Sequence, residues 1–406
     1  MFSVDWVQHP IGHGGFHSAR MRHGSDLNLN WVFDCGSRRT TRFDAYLRAW
    51  TDQRQEPIDW LFISHFDTDH VSGIDTLMAR SVIRDVMVPY VNERDLAYLA
   101  LYEISRDNLD WTFFELVADP AAFFLSRGAE RVTFLGGPPG QYFEDGGPWP
   151  GPEKDGHGWM MKIRPLPRPI QRLYSTRSTP RGSAYVINRP MCEINISRGG
   201  EGLLLKPYRA PIQRRSHRGL IQELQTIVGP ANRRPGPHGM GDLAYAIAHH
   251  ARTSRGRAEL RLVFKARVGS SNRGSLSLLS TPMVSNYSTA RWHVIRPFGR
   301  SQDLGKTAWL NTGDAELIEA ADLQDWRRAY ASEIPSVRVL ALPHHGSDRN
   351  SDARFQHLCP DATLVAHVKS SAKKHPGVGV GLAAGSRLAC VTEQPGSQVT
   401  MHFRST

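Results

Sequence analysis

Four side chains with metal-binding chemistry fall within six positions, at His65-Phe66-Asp67-Thr68-Asp69-His70. They follow the apolar run Trp60-Leu61-Phe62-Ile63 and precede the small-residue turn Val71-Ser72-Gly73. That order reads as a buried strand delivering its end into a loop that then opens a helix. In an extended loop alternate residues point the same way, so His65, Asp67 and Asp69 share one face and His70 starts the helix beside them. Imidazole with carboxylate suits a hard-to-borderline divalent ion. Two of these ligands could serve one metal and two a second, which suggests a dinuclear site. A solvated surface loop could also hold His and Asp, but a buried strand running into this spacing speaks against that.

The elements that would hold the loop alternate between strand and helix. Val4–Val7, Leu29–Phe33, Trp60–Ile63, Val82–Val88 and Arg131–Leu135 read as strands. Arg42–Trp50 carries Phe43, Tyr46, Leu47 and Trp50 at helical spacing, and Asp69–Met78, Leu96–Ile104 and Phe113–Leu125 also read as helices, the last broken at Asp119-Pro120. From Gly136 onward Gly and Pro punctuate the chain, and 165–215 is rich in Pro, Arg and Ser. Much of 141–255 is expected to be loosely ordered, with helices at Leu220–Val228 and Leu243–Ala251. Strands are expected again at Leu260–Val268, Leu276–Leu279, Ala290–Ile295, Ala308–Asn311, Val337–Leu342, Ala362–Val368 and Arg387–Val391, with a helix at Leu317–Tyr330. Two strand-rich halves with helices outside fit an αββα sandwich. The domain reading is 1–140 for the first half, 141–274 for a basic, partly helical insertion, and 275–406 for the second half.

Several short motifs share an order with a known superfamily. Ser64-His65-Phe66-Asp67-Thr68-Asp69-His70-Val71-Ser72-Gly73 is similar to the metal loop of the metallo-β-lactamase fold hydrolases, with Asp67 where a second His is usual. In that form it resembles the metallo-hydrolase domain of the ComEC DNA-uptake channel and its soluble relatives. Gly12-His13-Gly14 resembles the first hairpin turn, and Asn30 to Gly36 the strand ending in Asp-x-Gly. Ser285-Asn286-Tyr287-Ser288 resembles an Asn-x-Ser strand, Trp309 to Asp314 the "LLTGD" strand, and Leu342 to Ser347 the "vPHHGS" loop. His375-Pro376 matches a late His-Pro pair. The resemblance covers roughly residues 1–140 and 275–405. The His that most of the superfamily supplies between the metal loop and the Gly-Asp strand has no counterpart here; His157, His217 and His238 read as surface residues.

The resemblance implies an α/β, αββα sandwich and two divalent ions, Zn²⁺ or Mn²⁺. His65 and Asp67 would hold the first ion, Asp69 and His70 the second, and Asp314 would bridge them. His345 would complete the second site, and His344 would be a first-site ligand or a proton donor facing substrate. Asp69, Asp314 and His344 are the catalytic candidates. Asp34 is expected to orient the loop, Asn286 to do the same or to position substrate, and His13 and His375 to lie near the rim. Paired ions lower the pKa of a shared water toward neutrality, so a metal-bound hydroxide would attack phosphorus or carbonyl carbon.

Charge points toward phosphorus. The 406-residue chain carries a formal net charge of +11. Between Lys162 and Arg218 lie thirteen Lys/Arg against two acids, an excess equal to that of the whole chain. Such a segment suits a phosphate backbone, with Arg209, Arg214, Arg215 and Arg218 as nucleic-acid contacts. A disordered basic linker has the same composition. The expected function is a metal-dependent phosphodiesterase or nuclease acting on nucleic acid or nucleotide. The alternatives are a hydrolase of a small molecule, such as a cyclic nucleotide or acyl ester, and an effector module of a multi-protein bacterial system docking a protein partner through 141–274. No apolar run approaches the ~18 residues of a bilayer span, and Met1 to His9 shows no secretory pattern. Cys35, Cys192, Cys359 and Cys390 show no CxxC spacing. Neither a zinc knuckle nor a disulfide framework is expected, and the cytoplasm is the default location.

Overall fold

The computed structural model describes all residues except 26, 39, 92–95, 97–98, 102, 105–110, 137–158, 170–182, 211–217, 230–241, 268–273, 285–290, 297–298, 302–305 and 406. Asn286, Arg214 and Arg215 therefore lie outside the described residues, as do His157, His217 and His238.

Nineteen strands form two sheets among the described residues. In chain order they are β1 (Phe2–Gln8), β2 (Gly14–His23), β3 (Leu27–Ser37), β4 (Ile58–Phe62), β5 (Ile83–Pro89) and β6 (Arg131–Leu135). Next come β7 (Met160–Arg164), β8 (Arg168–Pro169), β9 (Ala184–Ile187), β10 (Glu193–Arg198), β11 (Glu201–Arg209) and β12 (Leu276–Met283). The last are β13 (Arg291–Arg296), β14 (Gly299–Ser301), β15 (Ala308–Asn311), β16 (Val337–Ala341), β17 (Thr363–His367), β18 (Leu388–Val391) and β19 (Val399–Arg404). The first sheet runs β14-β13-β19-β1-β2-β3-β4-β5-β6-β9-β8, and the second β18-β17-β16-β15-β12-β11-β10-β7.

Both sheets are antiparallel on one flank and parallel on the other. β3, β4, β5, β6 and β9 are parallel neighbours, as are β15 to β18. Parallel strands bring their C-terminal ends to one edge, where loops can gather functional groups.

The inner faces of the sheets meet over an aromatic layer. Trp6, Trp31, Trp60, Phe62, Trp309 and Phe403 are all buried there with Val339 and Val365. A second cluster, holding Phe43, Leu47, Ile74 and Phe124, lies between the first sheet and its helices, and a third, with Trp326, Tyr330 and Phe355, covers the second sheet. Helix, sheet, sheet and helix make the αββα order that the sequence pattern implied. The first helix, Thr40–Asp52, buries Phe43 and Leu47 as its spacing predicts. No helix among the described residues is long and apolar enough to cross a membrane.

Two readings of local structure are corrected. Much of 141–255 was expected to be loosely ordered, yet among its described residues β7, β10 and β11 extend the second sheet and β8 and β9 the first. The period-two signal was present but short: Ile194 and Ile196 on β10, and Leu203 and Leu205 on β11, are buried between Arg, Asn and Gly. Of the expected strand at Leu260–Val268, the described residues 260–267 belong instead to a helix, Ser254–Arg267. Thr253 Oγ1 accepts the Gly256 N–H at 3.0 Å as an N-terminal cap, and Arg255 pairs with Glu259 one turn on at 2.9 Å. Cap and i,i+4 pair outweigh the strand-like alternation of Leu260, Leu262 and Phe264.

Candidate metal centre

The metal loop hangs from a distortion in β3. Across the β2–β3 pair, Phe16 faces Cys35 but His17 faces Phe33, so Asp34 is the extra residue of a β-bulge. Its φ of 59° is left-handed, which is uncommon for a residue with a side chain. The bulge turns the Asp34 carboxylate onto the end of β4. Asp34 Oδ1 accepts the Ser64 N–H at 2.6 Å, and Oδ2 accepts the Ser64 hydroxyl at 2.7 Å. Oδ2 also faces His70 Nδ1 at 2.8 Å, and Ser64 Oγ faces His65 Nδ1 at 2.9 Å. With the Ser64 proton committed to Asp34, His65 Nδ1 is the donor to Ser64. Both imidazoles are then fixed through Nδ1, with Nε2 left for a ligand.

Two triads result, each with ligand atoms within 4.8 Å of one another: His65 with His70 and Asp314, and His13 with Asp69 and His345. Asp314 follows β15; its Oδ1 lies 3.3 Å from His70 Nε2 and its Oδ2 3.6 Å from His65 Nε2. Asp69 Oδ2 lies 3.5 Å from His345 Nε2 and 3.6 Å from His13 Nε2. His344 and His345 follow β16 with φ of 47° and 59°, two strained residues in succession, while the His344 N–H donates to Gly313 O at 3.1 Å. His344 Nδ1 lies 3.7 Å from Asp314 Oδ2, and its side chain is 26% exposed at the rim. The six triad residues are all buried.

This grouping differs from the one expected. His70 joins His65 rather than Asp69, and His13 enters a triad, its ring 3.8 Å from that of His345. Asp67 is buried with Oδ2 3.9 Å from His65 Nε2, outside both triads. His375 is at the rim, its ring stacked on His344 at 5.8 Å. Arg209, expected to contact nucleic acid, is buried at 5% exposure and donates to Gly136 O at 3.3 Å. It is a β11 residue packed into the sandwich and is not available to an external polyanion. Arg218 begins the helix Arg218–Val228, and its side chain is not described.

The residues fit divalent ions. Nε2 of His13, His65, His70 and His345 are buried without a hydrogen-bond partner among the described residues. An isolated buried donor or acceptor is costly, and here four of them converge on carboxylates. Separations of 3.3–3.9 Å are long for hydrogen bonds. They suit two ligands of one tetrahedral ion, which at bond lengths of about 2.0–2.1 Å sit roughly 3.3–3.4 Å apart. Burial, together with the His70 charge, lowers His65 to about 4, keeping it neutral as a ligand must be. Burial lowers His70 too, but Asp314 and Asp34 outweigh it and hold it well above its ordinary value. Burial raises Asp314, yet His344, His70 and His65 hold it well below the usual carboxylate range. The carboxylates thus demand positive charge at this spot, and a metal ion would displace a proton to supply it.

Two further histidines were not singled out by the sequence reading. His17, on β2 beside the bulge, and His367, ending β17, line a cavity of about 10 Å³ with Asp34, His70, Asn311 and His345. Burial pushes both down to about 3, with His345 adding to the shift of His367. A group depressed below its unfolded value of about 6.5 stabilises the fold above that pH, and the contribution is lost as pH falls toward 3. His17→Gln removes one such group. In excess chelator, the unfolding free energy from urea titration should fall less steeply in the variant between pH 6 and pH 4, by up to about 1.4 kcal/mol per pH unit. Equal slopes would mean that His17 is not held neutral.

Residues 28–157 match the family model described as "Metallo-beta-lactamase superfamily". No curated protein matches the chain. Among solved structures, similarity extends to a long form RNase Z from yeast, at 6% identity and TM-score 0.33, over 91% of this chain and 36% of that one. The chain thus spans about a third of that enzyme's length. The metallo-β-lactamase MIM-1 from Novosphingobium pentaromativorans aligns at 11% identity and TM-score 0.25, over 93% of this chain and 86% of its own. The metallo-β-lactamase fold protein YhfI from Bacillus subtilis aligns at 11% identity and TM-score 0.17, over 50% and 61% respectively. The matched segment contains the Asp34 bulge and the whole His65–His70 loop, so the similarity to that superfamily falls on the residues that build the first half of the site.

Proposed function

We propose that the protein is a divalent-metal-dependent phosphodiesterase acting on nucleic acid, with Zn²⁺ or Mn²⁺ as its ions. The observation that carries the reading is the pair of facing triads, His65/His70/Asp314 and His13/Asp69/His345, with their unpartnered imidazole nitrogens. Each triad would hold one ion, with His344 beside Asp314 of the first. When bound, such ions polarise a phosphoryl or carbonyl oxygen and make water a nucleophile at neutral pH.

The protein's own groups do the rest. Asp34 keeps the rings of His65 and His70 aimed inward, directly and through Ser64. Asp69 and Asp314 give each triad one carboxylate beside two imidazoles, a mixed set that takes Zn²⁺ and tolerates Mn²⁺. His344, partly exposed at the rim and 3.7 Å from Asp314 Oδ2, would give a proton to the leaving oxygen as the P–O bond breaks. A phosphodiester is favoured over an acyl ester because the mouth carries a cation on Asp69, Arg38, and because the chain concentrates its positive charge between Lys162 and Arg218.

The test begins with elemental analysis, where about two divalent ions per chain are expected at saturation. The metal-stripped and reconstituted proteins are then assayed on single- and double-stranded DNA and RNA, a cyclic nucleotide and an acyl ester. Polynucleotide cleavage that returns with metal supports the reading. Turnover of the ester or cyclic nucleotide alone moves the protein to small-molecule hydrolysis. An inert but metal-loaded protein points to a binding module.

A further inference from the structure

Arg38 leaves the end of β3 beside the His13/Asp69/His345 triad. Its backbone N–H donates to His13 O at 3.1 Å, which fixes the loop against the hairpin turn. Its Nε donates to Asp69 Oδ2 at 3.0 Å. Among the described residues it is the one Lys or Arg that pairs with a member of either triad. The Asp69 side chain is 4% exposed, whereas that of Arg38 is 39% exposed. The pair therefore joins a buried ligand to a cation facing the mouth.

A guanidinium has five N–H donors in a planar fork. One is spent on Asp69, and the terminal nitrogens take no hydrogen bond among the described residues. Orienting Asp69 needs only the Nε bond, and a buried neutral donor would serve as well. A charged fork left facing solvent at the edge of a metal centre suits an anion with two oxygens on one atom. The other side of the mouth is complementary. His344 stands on Asp314 of the second triad, 26% exposed, with His375 stacked on it. An anion lying across the two triads would meet Arg38 at its Asp69 end and His344 at its Asp314 end.

We infer that Arg38 is an anion-binding residue of this site, taking a non-bridging phosphoryl oxygen of a phosphodiester laid across the two triads. The inference rests on the phosphodiesterase reading for its substrate. It gives Arg38 two roles: holding the phosphate, and countering the charge that grows on the equatorial oxygens as the nucleophile adds.

The test uses the full chain reconstituted with metal, as wild type, Arg38→Lys and Arg38→Met. Metal content is measured by elemental analysis, the Kd of inorganic phosphate by calorimetry, and kcat/KM on bis(p-nitrophenyl) phosphate and p-nitrophenyl acetate. In Arg38→Met, metal content should stay unchanged while the phosphate Kd rises about 10- to 100-fold. Phosphodiester kcat/KM should fall about 100-fold, any acetate turnover should change by less than about threefold, and Arg38→Lys should recover part of both losses. An unchanged phosphate Kd overturns the inference. So does loss of metal in both variants, which would make Arg38 only a positioning residue for Asp69. If phosphodiester turnover is metal-dependent but indifferent to Arg38, this inference fails and the proposed function stands. If wild type cleaves no phosphodiester yet binds phosphate through Arg38, the function fails and the anion site stands.

Discussion

Asp314→Asn is expected to abolish hydrolysis, with kcat/KM falling by about 10³-fold or more, and to strip at least one ion from the protein. The side chain is buried, with its two oxygens turned to different partners: Oδ1 to His70 Nε2 at 3.3 Å, Oδ2 to His65 Nε2 at 3.6 Å and to His344 Nδ1 at 3.7 Å. Asparagine keeps the shape but replaces one oxygen with an NH₂, which cannot ligate a cation, and removes the charge. Despite burial, the aspartate is held well below the usual carboxylate range, chiefly by His344 and His70 beside it. Its negative charge therefore belongs to the site at any working pH. The backbone should hold, since Asp314 is anchored through its main chain: its N–H donates to Ser275 Oγ at 3.0 Å and its carbonyl accepts from Asn350 Nδ2 at 3.1 Å. Elemental analysis, circular dichroism and the cleavage assay together check this. Full metal content with more than a tenth of wild-type activity would remove Asp314 from the centre.

The parts of this site that were legible in the sequence are those coded locally. His65, Asp67, Asp69 and His70 lie within six residues after a buried strand, so the strand pattern alone announces them. Asp314 and the His344-His345 pair each follow a short apolar strand, and parallel strands deliver such ends to the same edge. How the ligands pair was not legible. It depends on the rotation of the short helix Thr68–Val71, which turns Asp69 toward His13 and His70 toward Asp34. Two adjacent residues on a helix point about 100° apart, so they serve different triads. His17 and Arg38 were invisible for a related reason. The bulge at Asp34 changes the β2–β3 register, and no local pattern marks which residue will be the extra one. In 160–209 the alternation is diluted by Arg, Pro and Gly, and strands that look like linker in composition complete the two sheets.

The glycines packed under the metal loop lead to the second large effect. A Cβ on Gly36 would lie 2.5 Å from Val71 N, 2.6 Å from the His70 carbonyl carbon and 2.7 Å from that of Asp69. All three are main-chain atoms of the turn that carries two ligands, so no flexible side chain can yield. The contact is also bonded on both sides, because the Gly73 N–H donates to Cys35 O at 2.8 Å and the Ser72 hydroxyl to Ser37 O at 3.1 Å. Gly36→Ala must then push β3 and the turn apart, breaking these bonds and moving Asp69 and His70 off their partners. The expected cost is about 3 kcal/mol or more in unfolding free energy, with metal affinity and activity lost in the fraction that folds. Gly381→Ala is the matching control. It sits in the helix Val378–Ala384 with nothing within 4 Å of the added carbon, so it should be neutral or stabilise by about 0.5–1 kcal/mol. Urea denaturation with metal titration separates the two. If Gly36→Ala folds within about 1 kcal/mol of wild type and binds metal normally, the turn does not need to lie against β3, and the bulge at Asp34 would have to position His70 alone.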